Sequence, residues 1–500
     1  MPDPTAAQQE AIRTLDRNLL VSAGAGSGKT SVLVSRFLRM VAGDPGPEAP
    51  AEPTAPVDGV LTITFTDKAA GEMRERIAQA LSARGLVEQR RQLEVAYIST
   101  IHGFCRRLLQ ENPFEAALDP EFATIEGGQG LLLREECFER VVERAFAQQD
   151  DALCGLILVC QEARSRQAST DTLAELRGAV LGTIDAMRSL GWETADLQRW
   201  IDAGVAGILQ QVAELLVEPL SRRLGEASAL GRSLRDLRLT GDAEVARQQL
   251  NKWAREVTPV APNAPLASLA QRVAELHALR PATLLAPRTR PEYDPQAYAA
   301  LKDAQKRIRA IIDDPLLQGF TLEREEQAAE QALCFLRLVL AVWQEYDAAK
   351  EQLSALDFND LQIKARTLLE TSEGVRRRYQ RKFRYVMVDE FQDTDHLQKS
   401  IIDRLRGERN FFVVGDVKQS IYGWRNADVR LFLGLDREFS ARERLEPERY
   451  RRLTLAENFR SRPEILRFVN AIFSGMWQPP AGGPPIPPES GGAPGFGPPI

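Results

Sequence analysis

A glycine-rich loop near the amino terminus holds the residues best suited to chemistry in this 500-residue sequence. The loop lies between an apolar stretch, 18–22, and a stretch with helical spacing, 31–40. Glycines let a backbone approach phosphate groups closely, and the amide groups at the start of a helix favour a bound anion. The pattern therefore predicts a phosphate-binding loop, with an ordinary glycine-rich turn as the alternative. The loop consists of Ala23, Gly24, Ala25, Gly26, Ser27, Gly28, Lys29 and Thr30.

The loop and a pair of adjacent carboxylates together suit the hydrolysis of a nucleoside triphosphate. Lys29 would reach the β and γ phosphates, and the Thr30 hydroxyl would hold Mg²⁺. Asp389 and Glu390 follow an apolar stretch, 385–388. Asp389 fits a Mg²⁺ ligand that acts through water, and Glu390 fits the base that orients and deprotonates the attacking water. Adjacent acids are usually surface charge, but their position after a predicted buried strand favours a site.

Further candidates for this chemistry follow later apolar stretches of the chain. Arg425 and Arg460 would stabilise charge on the γ phosphate, and such an arginine contributes on the order of 10³ to 10⁵ in rate. Gln419 follows a strand end, where it would contact both water and the γ phosphate. Tyr422 and Trp424 would stack on nucleic-acid bases, at about 1–3 kcal/mol per base. Core packing is the alternative for both rings, and their spacing alone favours it.

Predicted strands and helices alternate in the first and last parts of the chain. Helices are predicted over 31–40 and 68–78, and strands over 18–22, 60–65, 95–99, 385–388, 411–415 and 452–455. This alternation implies an α/β fold with a parallel, doubly wound sheet, and such sheets bind ligands at the carboxyl ends of their strands. Between about 110 and 355, apolar residues recur at helical spacing, which predicts a helical insertion. Six basic residues within 376–384 form either a solvated face or an edge that faces nucleic acid.

Composition limits the class of protein. Hydrophobic residues make up 44% of the chain and charged residues 27%, which is typical of a globular protein with an ample core. There is no run of about 18 apolar residues to suggest a membrane span, and the amino terminus lacks the pattern of a secretory signal. The net charge of −6 argues against a protein coated in basic charge but allows a local basic groove. The five cysteines are scattered, as expected of reduced thiols in a cytoplasmic protein.

Seven blocks of the sequence resemble, in the same order, those of the UvrD/Rep-type superfamily 1 DNA helicases. They lie at 8–12, 23–30, 64–70, 100–102, 388–394, 414–425 and 457–461. The stretches 100–105, 118–122, 357–361 and 415–419 look closer to the AddA/RecB branch, which unwinds DNA ends for recombinational repair as a helicase–nuclease with a partner subunit. The resemblance implies a RecA-like P-loop NTPase that uses ATP and Mg²⁺ to move 3′ to 5′ along single-stranded DNA.

The resemblance also implies roles for individual residues. Gln8 would recognise adenine, Phe459 would pack on the nucleotide, and Gln419 would couple hydrolysis to DNA. Arg425 and Arg460 would contact the γ phosphate. The residues implied to line the single-strand groove are Phe65, Thr66, Thr100, His102, Tyr422 and Trp424, with Trp424 stacking on a base.

The resemblance finally implies a division into domains. Residues 1–104 and 356–455 would form the ATP-binding lobe, 105–355 a helical insertion that contacts DNA, and 456–477 the start of a second lobe. The Pro- and Gly-rich stretch 478–500 is predicted to be a flexible tail. The remaining motifs of a second lobe and a nuclease region do not occur in the sequence, so we expect a fragment, a truncated product or half of a split system. Two alternatives stay open: a truncated module that binds ATP and single-stranded DNA without turnover, and a P-loop ATPase indifferent to nucleic acid.

Overall fold

The computed structural model of the chain describes residues 4–43, 53–151, 153–157, 172–261, 264–278, 294–315 and 317–476. The predicted flexible tail, 478–500, lies outside the described residues. The strands are β1 (Asn18–Ala23), β2 (Val60–Thr64), β3 (Tyr97–Thr100), β4 (Ala123–Thr124), β5 (Ala355–Leu356), β6 (Tyr385–Val388), β7 (Phe411–Gly415) and β8 (Tyr450–Leu455).

The helices fall into three groups along the chain. Those before residue 150 are α1 (Ala6–Arg13), α2 (Lys29–Ala42), α3 (Asp67–Ala83), α4 (Val87–Gln92), α5 (Ile101–Gln110), α6 (Pro113–Ala116) and α7 (Gly127–Ala147). The middle group is α8 (Thr172–Ser189), α9 (Thr194–Asp202), α10 (Gly204–Ser233), α11 (Gly241–Glu256), α12 (Leu266–Ala278), α13 (Pro295–Ile312) and α14 (Leu322–Gln352). The last group is α15 (Phe358–Thr371), α16 (Glu373–Lys382), α17 (His396–Leu405), α18 (Val429–Leu445) and α19 (Pro463–Met476).

Six strands form one parallel sheet in the order β3-β2-β6-β7-β1-β8. Val21 of β1 pairs with Val414 of β7 on one side and with Leu453 of β8 on the other. Interior strands of such a sheet are largely apolar because both faces are covered, and Val386 of β6 and Val413 of β7 are completely buried. The predicted α/β fold with a parallel sheet is therefore confirmed.

Two apolar layers cover the sheet, one on each face. Successive side chains of a strand point to opposite faces, so Leu19 joins one layer and Leu20 the other. The layer of Leu19 contains Phe37 of α2 and Ile77 of α3. The layer of Leu20 contains Phe104 of α5, together with residues of α15 and α17. Burial on both faces holds the strands, and therefore the loops at their ends, in a rigid frame.

Three details differ from the sequence prediction. β3 begins at Tyr97 rather than Val95, because Leu93–Val95 form a 3₁₀ turn that leaves Val95 53% exposed. β8 begins two residues earlier than predicted, at Tyr450. The stretch 105–355 is not entirely helical, since β4 pairs with β5 in a separate two-stranded sheet. Strands of two residues are too short for an alternating pattern to reveal them.

The described chain forms two compact units. One unit lies within 1–133, 185–192 and 348–500 and contains the six-stranded sheet. The other lies within 134–184 and 193–347 and is helical in its described residues, with its own core formed by residues of α10 to α13 such as Leu220, Leu250 and Leu301. The domain boundaries at residues 105 and 355 remain predictions.

No single helix in the described ranges is long and apolar enough to cross a membrane. Helices α9 and α10 together meet the length and composition of a span, but they are bent by 97° where they join.

Candidate nucleotide and nucleic-acid site

The carboxyl ends of the six parallel strands lie at one edge of the sheet, and the candidate residues follow those ends. The glycine-rich loop follows β1, the acid pair follows β6, and the loop with Gln419, Tyr422 and Trp424 follows β7. Phe65 and Thr66 follow β2, Thr100 ends β3, and the stretch with Phe459 and Arg460 follows β8. Because the loops that follow the parallel strands all lie at this edge, residues from 23 to 460 can act together there.

The glycine-rich loop adopts a conformation that side chains would obstruct. Gly26 and Gly28 have φ angles of +74° and +80°, in the left-handed region that favours glycine. A Cβ atom at Gly26 would lie 2.7 Å from both Arg460 Cβ and Asn458 Oδ1, and one at Gly28 would lie 2.9 Å from Gln8 Nε2. Gly28 directly precedes α2, so the loop ends at a helix amino terminus as a phosphate cradle requires.

Gln8 attaches α1 to the loop. Thr5 caps the helix by accepting from the Gln8 backbone N–H, and the Gln8 side-chain oxygen accepts from the Thr5 N–H at 3.0 Å. This capping box leaves the Gln8 Nε2 free to donate to the Ser27 carbonyl at 2.9 Å. Gln8 is 7% exposed, so its position is set by α1 and by the loop together.

Lys29 meets Glu390 across the edge of the sheet. The Lys29 Nζ atom lies 2.9 Å from Glu390 Oε1 and 2.7 Å from Oε2, although the two residues are 361 positions apart in sequence. Their side chains are 11% and 31% exposed, so the ammonium and carboxylate are partly shielded from water. Thr30 follows Lys29 as the second residue of α2. The structure thus brings the loop and the acid pair together.

Burial raises the pKa of the Asp389 carboxyl to about 7; neighbouring Glu390 adds to this increase and Lys29 opposes it. The Asp389 Oδ1 atom accepts the Glu390 backbone N–H at 3.0 Å. Glu390 itself has a φ of +49°, a strained conformation for a residue other than glycine that costs of order 1–3 kcal/mol and is found mainly at functional sites. Asp389 and Glu390 therefore form a desolvated acid pair whose charge a cation would stabilise.

The Asp416 carboxylate holds the loop after β7 in place through two hydrogen bonds. Asp416 Oδ2 accepts from Gln419 Nε2 at 2.5 Å, and Asp416 Oδ1 accepts from the Lys418 N–H at 3.0 Å. The Asp416 N–H donates to Gln392 Oε1 at 2.9 Å. Sequence reasoning gave no role to Gln392 or Asp416, although both lie in blocks that carried the resemblance.

The stretch after β8 closes over the glycine-rich loop. Asn458 Nδ2 donates to the Ala25 carbonyl at 2.8 Å, and the Phe459 N–H donates to the Gly26 carbonyl at 2.8 Å. The Asn458 Oδ1 atom accepts the Arg460 N–H at 2.9 Å. Arg460 and Phe459 thus lie directly against the loop. Sequence reasoning gave no role to Asn458, although it lies within the block 457–461 that carried the resemblance.

An aromatic strip runs from β2 to the loop after β7. The rings of Phe65 and Tyr422 have centroids 4.5 Å apart, and those of Tyr422 and Trp424 are 6.1 Å apart. Trp424 is 73% exposed, so core packing is excluded for that ring. The Arg425 guanidinium carbon lies 4.7 Å from the Trp424 ring centroid, within range of a cation–π contact. Arg425 therefore extends this strip. Among the described residues, no hydrogen bond joins the Arg425 side chain to the glycine-rich loop.

Thr66, Thr100 and His102 lie at the ends of β2 and β3. Thr66 caps α3 by accepting the Ala69 N–H, and Thr100 caps α5 by accepting the Gly103 N–H, so both hydroxyls hold helix starts. Burial lowers the pKa of His102, which favours the neutral ring. Its Nε2 atom lies 2.8 Å from Gln362 Nε2, so the neutral ring accepts that amide hydrogen.

The basic run within 376–384 lies before β6, at the amino ends of the strands. Arg376 donates to the Leu369 carbonyl, Arg384 donates to the Thr54 carbonyl, and Lys382 lies 3.4 Å from Asp58. These three cations therefore contact groups of the unit that contains the six-stranded sheet. They lie at the edge of the sheet opposite the candidate site.

A glycine-rich loop after an interior parallel strand, facing an acid pair at the end of another, is the arrangement of a RecA-like fold. Comparison with known proteins then identifies the family. The UvrD/REP helicase N-terminal domain matches residues 5–440, and the chain belongs to this UvrD/REP helicase family. Members of the family are generally ATP-hydrolysing helicases.

Several ATP-dependent helicase/nuclease subunits A are similar to most of the chain. The one from Latilactobacillus sakei is 31% identical, over 94% of this chain and 55% of its own length. Those from Exiguobacterium sibiricum and Alkaliphilus oremlandii are 30% and 28% identical, over 94% of this chain and 40% and 39% of their lengths. The chain thus spans about half or less of the curated relatives it matches.

Proposed function

We propose that this chain is the ATP-binding motor part of an AddA/RecB-like DNA repair and recombination enzyme, an ATP-dependent helicase and translocase with 3′ to 5′ polarity. The observation that carries the proposal is the meeting of Lys29 and Glu390 at 2.7 Å at the carboxyl edge of the sheet. ATP hydrolysis uses a cation that binds the phosphates and a group that orients the attacking water, and this pair would supply one of each.

Different residues of the chain would bind the nucleotide and activate the attacking water. The cradle from Gly24 to Thr30 binds the phosphates through backbone amides, because Gly26 and Gly28 leave no side chain in the way. When nucleotide binds, the Lys29 side chain would move so that its ammonium contacts the phosphates instead of Glu390. The freed Glu390 carboxylate then orients the attacking water and accepts its proton. Gln8 recognises adenine beside the cradle, and Phe459 packs on the nucleotide.

The acid pair fits a bound Mg²⁺. Asp389 is a buried carboxyl whose pKa is raised by burial and by neighbouring Glu390, so a bound cation would stabilise its charged form. Thr30 and Asp389 would hold the ion, which neutralises phosphate charge when bound. Among the described residues no cluster of three or more His, Cys, Asp or Glu forms a complete metal cage. Arg460 and Arg425 would supply further positive charge to the γ phosphate.

Single-stranded DNA would bind along the aromatic strip of Phe65, Tyr422 and Trp424. The exposed Trp424 ring would stack on bases without regard to sequence, which suits a translocase. Thr66, Thr100 and His102 lie at the neighbouring strand ends and would contact the same strand. Gln419, held by Asp416 between the strip and the acid pair, would couple hydrolysis to DNA.

Trp424→Ala should weaken the affinity for single-stranded DNA by about 1–3 kcal/mol, or roughly 5- to 150-fold, because a stacking platform is lost. Fluorescence anisotropy with a labelled oligothymidylate measures the change. Phe114→Ala is the matched control, since Phe114 is 95% exposed but follows α5 at the end remote from the site. Unchanged affinity in Trp424→Ala would remove that ring from the DNA interface.

Asn458→Ala should weaken ATP binding roughly 5- to 30-fold, because the glycine-rich loop loses the bond to Ala25 and the turn of Arg460 loses its acceptor. Isothermal titration with a non-hydrolysable ATP analogue measures the effect. Asn410→Ala is the control, since Asn410 also bonds to two backbone groups but lies at the amino end of β7. An Asn458 variant with wild-type affinity would mean that the loop holds its shape without this residue.

The remaining parts of the proposal come from the sequence resemblance. Residues 1–104 and 356–455 form the ATP-binding lobe, 105–355 the DNA-contacting insertion, and 456–477 the start of a second lobe. A nuclease or helicase partner subunit would join the chain at a duplex DNA end. A cytoplasmic location suits the free thiols of Cys105, Cys137, Cys154 and Cys334, the four cysteines in the described ranges.

DNA-stimulated ATPase activity of the purified chain tests the proposal. A rate that rises with added single-stranded DNA supports the motor. Binding of ATP and DNA without turnover would support the alternative, a truncated binding module. A rate indifferent to DNA would instead indicate a P-loop ATPase with another substrate.

A further inference from the structure

Gln392 is a buried glutamine between the acid pair and the loop after β7. Its residue is 1% exposed. The Nε2 atom donates to Glu390 Oε2 and to Asp393 Oδ2, each at 3.0 Å, and the Oε1 atom accepts the Asp416 N–H at 2.9 Å. The amide is therefore fully oriented, since its two hydrogens face carboxylates and its oxygen faces a backbone donor.

A continuous series of hydrogen bonds passes through this side chain. On one side, Glu390 is bound to the Lys29 ammonium. On the other side, Asp416 accepts from Gln419 Nε2 at 2.5 Å. Gln392 is the link between these two halves. A change at either end would therefore alter the environment of the other.

The backbone around Gln392 is also joined to the loop after β7. Ser420 Oγ donates to the Gln392 carbonyl at 3.2 Å. A Cβ atom at Gly415 would lie 2.7 Å from Gln392 Oε1, so only glycine leaves room for the amide. The loop continues from Ser420 directly to Tyr422 and Trp424. Gln392 is thus hydrogen-bonded to the loop that carries the two aromatic rings.

We propose that Gln392 is a positioning residue that couples Glu390 to the loop carrying Tyr422 and Trp424, so that DNA on the rings changes the placement of the carboxylate. The inference rests on the proposed function, because it takes Glu390 as the base and the rings as a DNA contact. Coupling between two ligands is reciprocal, so bound nucleotide must change DNA affinity by the same factor as DNA changes nucleotide affinity.

Gln392→Leu tests the coupling in the full chain because it removes all three side-chain bonds at similar volume. The measurement is the affinity for labelled oligothymidylate with and without a non-hydrolysable ATP analogue. We expect the wild-type affinity to differ by about fivefold or more between the two conditions, and the variant affinity to differ by less than about twofold. Affinity for the analogue alone should change by less than about threefold.

Gln392→Glu keeps the acceptor for Asp416 but replaces the donors to Glu390 and Asp393 with a carboxylate oxygen. We expect the same loss of coupling, and this variant carries the test if Gln392→Leu does not fold. Gln380→Leu is the control, since Gln380 Nε2 donates to the Arg404 carbonyl at 2.7 Å away from the site. It should retain wild-type coupling.

Two results separate the inference from the proposed function. Coupling that persists in a folded Gln392 variant, or is absent from a wild-type chain that binds both ligands, overturns the inference alone. A wild-type chain that binds neither ligand overturns the proposed function, and the inference with it.

Discussion

Lys29→Ala should abolish ATP hydrolysis, with a loss on the order of 10² to 10³ or more in rate. Lys29 is the cation at the mouth of the cradle, and its Nζ atom now lies 2.7 Å from Glu390 Oε2. In the variant, neither the developing phosphate charge nor the Glu390 carboxylate has this ammonium as a partner. Steady-state ATPase assays, with and without single-stranded DNA, measure the rate.

Lys399→Ala is the matched control for Lys29. Lys399 also forms an ion pair, with Asp403 at 2.5 Å, but both partners lie on α17. We expect the control to keep the wild-type rate and both variants to show similar thermal unfolding. A Lys29 variant with full activity would remove the phosphate-binding role of the glycine-rich loop.

Glu390→Gln should bind ATP yet lose turnover, with a decrease of about 10² to 10⁴ in kcat. The amide has nearly the shape of the carboxylate but does not accept the proton of water at neutral pH. Nucleotide affinity should rise, because a neutral residue no longer competes with phosphate for the Lys29 ammonium. Opposite changes in kcat and affinity distinguish this result from general damage to the fold.

Titration with a fluorescent ATP analogue and steady-state kinetics measure the two quantities for Glu390→Gln. Glu408→Gln is the control. Glu408 also forms an ion pair, with Arg449, but its side chain is 82% exposed and the residue lies in the loop after α17. Normal turnover in Glu390→Gln would mean that another residue is the base. Weaker nucleotide binding would mean that Lys29 does not exchange between the carboxylate and the phosphates.

Local patterns in the sequence determined the kind of fold and the types of chemical group. The apolar strands, the glycines of the cradle and the acids after β6 are short-range features, because strand burial and left-handed turns depend on neighbouring residues. Their alternation with helices predicted a parallel sheet. A parallel sheet places loops at one edge, so the sequence also predicted the edge at which Lys29, Asp389 and Glu390 lie.

Only the tertiary structure decided which side chains meet. The order that places β7 between β1 and β6 brings Lys29 to Glu390 and Asp416 to Gln392, and no local pattern encodes strand order. Spacing favoured core packing for Trp424, yet the fold leaves it 73% exposed. Contacts between residues hundreds of positions apart depend on how the layers pack, which is a property of the whole chain.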